Sequence, residues 1–110
     1  MPLAKQNLYV DQGATFTETI QLLDDEGLPL NLSGYTGSGK MRKHYTSSNV
    51  AANIAVSVFD TTGTLKLDMT ANVTGAIASG RYVYDVEIVN VDGTIRALEG
   101  IVTVTPQVTR

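Results

Sequence analysis

The residues best suited to chemistry lie between Gly34 and Ser48. Gly34, Gly39 and Lys40 occupy the first, sixth and seventh positions of the phosphate-binding pattern G-x-x-x-x-G-K-[ST]. The eighth is Met41, which lacks the hydroxyl that holds Mg²⁺, and residues 42–48 show neither helical periodicity nor a cap to aim backbone amides at phosphates. A glycine-bearing strand is the better reading of the segment. Lys40, Arg42, Lys43 and His44 then form a basic run between Tyr35 and Tyr45, with no acid anywhere from 35 to 50. Such a run can meet nucleic acid through phosphate contacts and base stacking, or an acidic protein surface through ion pairs. On a small acidic chain, a solvated strand face or a protein contact is favoured. His44 is the one residue of suitable pKa for a general base, and Ser47 or Ser48 would have to be its nucleophile. Neighbours on a short loop lack the rigid support that a triad needs.

The carboxylates read similarly. Asp24, Asp25 and Glu26 crowd one turn but lack the alternating spacing and terminal Glu of a calcium loop, so they solvate the turn. Asp85 and Glu87 share one strand face, where cross-strand partners such as Arg96 account for them better than a paired-carboxylate site does. The absence of Cys and the single His remove thiolate nucleophiles, disulfides and His-cluster metal centres, so no catalytic residue, cofactor or metal is expected. No small-molecule substrate is expected either.

These residues must be held by the rest of a 110-residue chain, a length that suits one domain spanning 1–110. Hydrophobic residues make up 43% and charged residues 17%, as in a globular domain, and a net charge of −3 gives no overall attraction to nucleic acid or anionic membranes. The first residues lack a basic-then-apolar leader and no run approaches the roughly 18 apolar residues of a membrane span, which sets the expectation of cytoplasmic synthesis and no membrane partner.

Fourteen Thr and twelve Val favour strands, because branching at Cβ packs well on a pleated surface and loses rotamer freedom in a helix. Tyr82, Tyr84, Val86 and Ile88 alternate with Asp85 and Glu87 over 81–90, a turn occupies 91–93, and 94–105 places Leu98, Gly100, Val102 and Val104 on one face. This is a hairpin, with Gly100 marking a bulge or a close backbone approach. Ile54, Val56 and Val58, a turn at 60–63, then Leu65, Leu67 and Met69 form a second. Over 14–23, Phe16, Ile20 and Leu22 alternate with Thr, and Glu18 interrupts the apolar face, which predicts a bulge or strand end there. Pro29 restricts 28–32 to an edge or irregular connection, 35–44 is a further strand, and 45–49 a polar loop. Thr70 can cap a short helical turn within 70–78, with Val73 and Ile77 on its inner face. The chain ends are expected to be the most mobile parts. Strands every 8 to 12 residues with one short helix predict an all-β fold, an antiparallel β-sandwich, immunoglobulin-like or small and barrel-like. Its core is expected to hold Phe16, Ile20, Leu22, Ile54, Val56, Val58, Leu65, Leu67, Tyr82, Tyr84, Val86, Ile88, Leu98, Val102 and Val104.

Val-Asp-Gln-Gly-Ala-Thr-Phe (10–16), Asp-Glu-Gly-Leu-Pro-Leu-Asn-Leu-Ser-Gly-Tyr-Thr (25–36) and Met-Arg-Lys (41–43) resemble small β domains of tailed-bacteriophage virion proteins. The likeness continues through Gly-Arg-Tyr-Val-Tyr-Asp-Val-Glu-Ile (80–88), Asp-Gly-Thr-Ile-Arg (92–96) and Leu-Glu-Gly-Ile-Val-Thr-Val-Thr-Pro (98–106). Such domains occur as whole small proteins of T4-like myophages and, more distantly, as the N-terminal domain of upper baseplate proteins. The resemblance implies a non-enzymatic virion structural protein that docks onto other phage subunits, in the tail and baseplate or as a capsid decoration, in many copies per particle. It carries no catalytic residues. Two alternatives are a nucleic-acid or nucleotide-binding module using Gly34 to Lys43, and a carbohydrate-binding tail-fibre sandwich, for which exposed aromatics are scarce. The expected docking surface is an edge strand with its loop, built from Tyr35, Lys40, Arg42, Lys43, His44 and Tyr45 and facing acidic groups of the partner.

Overall fold

The computed structural model describes residues 4–59 and 61–108. Asp60, assigned above to a turn, lies outside the described residues. Within them the chain runs β1 (Ala4–Lys5), β2 (Leu8–Asp11), β3 (Phe16–Gln21), β4 (Thr36–Arg42), β5 (Ala52–Phe59), β6 (Thr64–Met69), α1 (Ala71–Gly75), β7 (Gly80–Asn90) and β8 (Gly93–Thr105). Pairing runs in the order β1-β8-β7-β4-β5-β6-β3, with β2 also on β8. β5 turns the corner between two layers, since residues 52–54 pair with β4 and residues 55–59 with β6. All neighbours are antiparallel except β1 and β2, which run parallel to β8. The result is a curled sheet folded over as a half-barrel or sandwich. Its longest strand, 13 residues, would span about 43 Å and accounts for the 44 Å long axis.

Alternation does what it requires over most of the interior. Phe16, Leu22, Ile54, Leu65, Leu67, Tyr82, Tyr84, Val86, Ile88, Leu98, Val102 and Val104 are buried, and both hairpins form. The Tyr82 hydroxyl donates to the Ala78 carbonyl at 2.6 Å, tying the start of β7 to the corner before it as immunoglobulin-like sandwiches do.

The structure also departs from the sequence reading. Ile20, Val56 and Val58 are only partly buried. The two valines face Gly37, where a Cβ would come within 2.6 Å of Val56 Cγ1, so the corner is tight there and admits no side chain at position 37. β3 pairs with β6 without a break from Phe16 to Gln21, so Glu18 makes no bulge and simply faces inward. In the long hairpin the bulge falls at Ala97, where Val86 pairs with Leu98 but Glu87 with Arg96, turning both Ala97 and Leu98 into the core. Gly100 is instead the close approach, because a Cβ there would stand 2.2 Å from Gln6 O.

The helical turn forms with Thr70 as its cap, its hydroxyl accepting from Val73 N–H. Its inner face is Thr74 and Ile77, while Val73 points to solvent. Thr74 is fully buried because its hydroxyl donates to Ala14 O at 2.8 Å and accepts from Gly13 N–H, pinning the turn to the β2–β3 corner. Residues 4–11, unassigned in the sequence reading, hold the two short strands β1 and β2, and Leu8 and Val10 of β2 seal the core. Among the described residues, no helix is long and apolar enough to cross a membrane.

A candidate docking face

β4 is not an edge. It lies between β7, which pairs along its full length, and β5, which pairs at Gly39, Lys40 and Met41. The expectation of an open edge from Tyr35 to Lys43 is therefore overturned: β7 pairs with one side of the strand from Thr36 to Arg42, and β5 with the other side at residues 39–41. The same pairing disposes of the phosphate-loop likeness, since Gly34 serves a turn at φ +81° and the backbone from Thr36 onward enters a ladder, with no helix after it. Gly37 and Gly39 are there because β5 folds close over them.

The six proposed docking residues do not form one surface. Lys40 and Arg42 share the outward face of β4, the opposite side from buried Met41. Arg42 donates to the carbonyls of Ser47 and Ser48, which fixes the 43–51 loop onto the strand end. Lys43 falls on the other side, its Nζ 4.7 Å from the Tyr82 ring centroid in a cation–π contact. Tyr35 packs partly buried against the core at the far end of β4. His44 spends its backbone N–H on Ser47 Oγ at 3.1 Å, a local turn in which that serine is a structural acceptor. Tyr45 is exposed and lines a shallow cleft with Lys40, Arg42, Val83 and Asp85. The other motif residues are likewise structural: Asp24 Oδ1 accepts from Glu26 and Leu28 N–H, folding its own turn.

What the structure does bring together is the outward face of β1, β2, β8, β7 and β4. Register places Lys5, Glu99, Asp85 and Lys40 in one row across four strands. The next row on one side holds Arg96, Glu87 and Ser38; on the other it holds Ile101, Val83 and Arg42, and beyond them lie Tyr9, Thr103 and Arg81. Among the described residues this face closes one ion pair, Arg96 Nη2 to Glu99 Oε1 at 3.2 Å. Arg96 thus answers Glu99 rather than Glu87, its cross-strand neighbour. The face is charged with interleaved signs and carries Tyr9 and Ile101 well exposed beside Arg81. Tyrosine, arginine and an aliphatic residue side by side are the composition of protein contacts. Sequence reasoning missed Tyr9, Arg81, Glu99 and Ile101, although the parity of β8 alone puts Glu99 and Ile101 opposite the core.

Beneath the face, Tyr84 points inward and donates its hydroxyl to Gln6 O across Gly100. Burial pushes its pKa well above the usual tyrosine value, and the negative charge of Glu18 on β3 raises it further.

Fold and face together define a small, compact β-sandwich whose surface suits protein–protein contacts. No family model matches the chain, and no curated protein matches it. Solved structures share its fold. InlP of Listeria monocytogenes superposes with a TM-score of 0.51 at 19% identity, over 91% of this chain and 26% of the InlP chain. CopC from Methylosinus trichosporium OB3b gives a TM-score of 0.51 at 15% identity, over 97% of this chain and 89% of that one. The chain thus spans about a quarter of InlP and most of CopC. At these identities the likeness is one of fold, and function has to be argued from the surface.

Proposed function

We propose that this protein is a non-enzymatic structural component of a tailed-bacteriophage particle, located in the virion and docking there onto other subunits, as part of the tail and baseplate or as a capsid decoration. The observation that carries the proposal is the resemblance of its turn and core motifs, over nearly the whole chain, to small β domains of T4-like myophage virion proteins. The mixed-charge face supports it, since interleaved charges fix register and partner choice more than they add affinity. Ser47 and Asp24 accept hydrogen bonds from backbone N–H groups that fold their own turns. The docking surface is accordingly revised from an edge strand to the outward face carrying Lys40 and Arg42.

Quantitative mass spectrometry of purified particles tests this, with the polypeptide expected at many copies per particle. Changing Lys40 and Arg42 together to Glu is expected to abolish incorporation while leaving the isolated domain folded. Lys43→Glu, on the other side of β4, should incorporate normally. Particles that lack the polypeptide would overturn the virion assignment, whereas particles that take up the double variant at wild-type occupancy would overturn only the face.

A further inference from the structure

The strand order leaves one position empty. Immunoglobulin-like sandwiches of the four-plus-three kind place a first strand beside the second in one sheet. Here β3, β6 and the second half of β5 make that sheet, but the N-terminal strands β1 and β2 pair with β8 in the other layer. β3 is therefore an edge of six residues, paired with β6 along its whole length and with nothing on its other side among the described residues.

Natural edges are usually blunted by Pro, by a bulge, by a Lys or by a charge pointing inward. β3, Phe-Thr-Glu-Thr-Ile-Gln, has no Pro, no bulge and no Lys. Thr17 and Gln21 hydrogen-bond toward the β6 side, to Asp68 Oδ1 and Thr62 O, and so leave the outer edge uncovered. The one protective feature is Glu18. It occupies an inward position between Phe16 and Ile20, is partly buried, and has no cation or hydrogen-bond donor as a partner among the described residues. It lies near enough to the interior for its charge to act on Tyr84. An apolar residue at that position would join Phe16 and Ile20 into one continuous apolar stripe along the open edge.

We propose that the β3 edge is a second contact surface, which receives an extended strand from a partner protein carrying Lys or Arg at the position opposite Glu18. Directly opposed residues in an antiparallel pair lie about 4.5–5.5 Å apart at Cβ, close enough for a cation to answer the carboxylate. The same carboxylate selects against wrong partners. A second β3, paired so that inward residues match, sets Glu18 either opposite its own copy or one step diagonal from it, and an apolar strand buries it without compensation. Glu18 thus admits one kind of strand and rejects self-pairing. The inference deepens the docking reading and rests on it for the existence of a partner. It is tested on the isolated protein, so its outcome does not depend on whether particles contain the chain.

The probes are two capped peptides, Val-Thr-Lys-Thr-Val-Thr-Val and the same sequence with Glu in place of Lys. Titration monitored by NMR should move the amides of β3 with the Lys peptide, and bind it about tenfold or more tightly than the Glu peptide. Glu18→Lys should exchange that preference. Glu18→Val should raise the melting temperature and increase association through β3 over that of the native protein, seen by sedimentation and by crosslinking of an added Thr19→Cys. Peptides bound equally, shifts confined to another surface, no binding of the Lys peptide, or a Glu18→Val variant that associates no more than the native protein would each overturn the proposal.

Discussion

The two layers of the sandwich are built to different standards. In the layer of β8, β7 and β4, strands of up to 13 residues bury Val86, Ile88, Leu98 and Val102 completely, and the bulge at Ala97 adds one more inward side chain. In the layer of β5, β6 and β3, strands are six to eight residues long. Leu65 and Leu67 on its central strand are buried, but Ile20 and Glu18 on one flank and Val56 and Val58 on the other are only partly covered. The outward surfaces differ in the same sense. One layer shows interleaved charges, while the other shows mainly Thr, Ser, Ala and Gln around Lys66 and Asp68. The lesson is a division in cover: the long-stranded layer buries most of its inward side chains, whereas the short-stranded layer buries those of its central strand and leaves one edge open.

Truncation within the two layers tests that division most severely. Leu98→Ala removes a fully buried side chain where little relaxation is possible, and should cost about 2 to 5 kcal/mol, a large share of what a domain this size possesses. Ile20→Ala, at a partly covered edge position, should cost about 1 to 2 kcal/mol, since less surface leaves water when the native residue is buried. Chemical denaturation of both variants reads the comparison directly; equal losses would mean that the β3 edge is packed as firmly as the centre of the long-stranded layer.

The long-stranded layer was also the more legible one in the sequence. Tyr82 to Ile88 and Leu98 to Val104 announce themselves because one face is core and the other charged, so period-two alternation survives in the residue types. The short-stranded layer blurs that signal. Glu18 looked like an interruption because its inward position was judged by polarity, whereas a strand at an edge can turn a charge inward with the seam still open to water. β1 and β2 were invisible for a different reason: four-residue and two-residue strands held parallel to the last strand of the chain leave no local pattern, and their pairing is decided some ninety residues away. The docking residues were found as a cluster in sequence, but strand parity splits such a cluster, which is why Lys43 parts from Lys40 and Arg42. The charged face itself is a property of register, assembled from β1, β8, β7 and β4, and no single segment displays it.

A smaller effect tests how the N-terminal strands are attached to the strong layer. Gly100→Ala would drive a Cβ into Gln6 O, and because that neighbour is backbone, β1 must move away from β8. A loss of about 1 to 3 kcal/mol is expected, as for other overpacked sites. The amide of Gln6, which donates to Glu99 O, should also lose protection from hydrogen exchange while β7 amides keep theirs. If protection falls uniformly, the attachment is part of the main cooperative unit and not a separate flap.

The smallest expected effect lies where the layers meet, at Tyr84. Its hydroxyl holds Gln6 O from the strong layer while the charge of Glu18 reaches it from the weak one. The folded protein disfavours the phenolate, so the tyrosine is harder to ionise folded than unfolded. The unfolded chain begins to release this proton near pH 10, the ordinary tyrosine value, and the folded state retains it there. Stability contributed by the neutral phenol is therefore complete below about pH 10 and declines as the pH rises above it. Tyr84→Phe should cost about 1 kcal/mol at neutral pH for the lost hydrogen bond, and should flatten the alkaline decline of the melting temperature. Glu18→Gln should leave that decline in place but make it shallower, because burial remains the larger cause of the shift. An alkaline limb that Tyr84→Phe leaves unchanged would assign the effect to another group and remove the electrostatic link between the two layers.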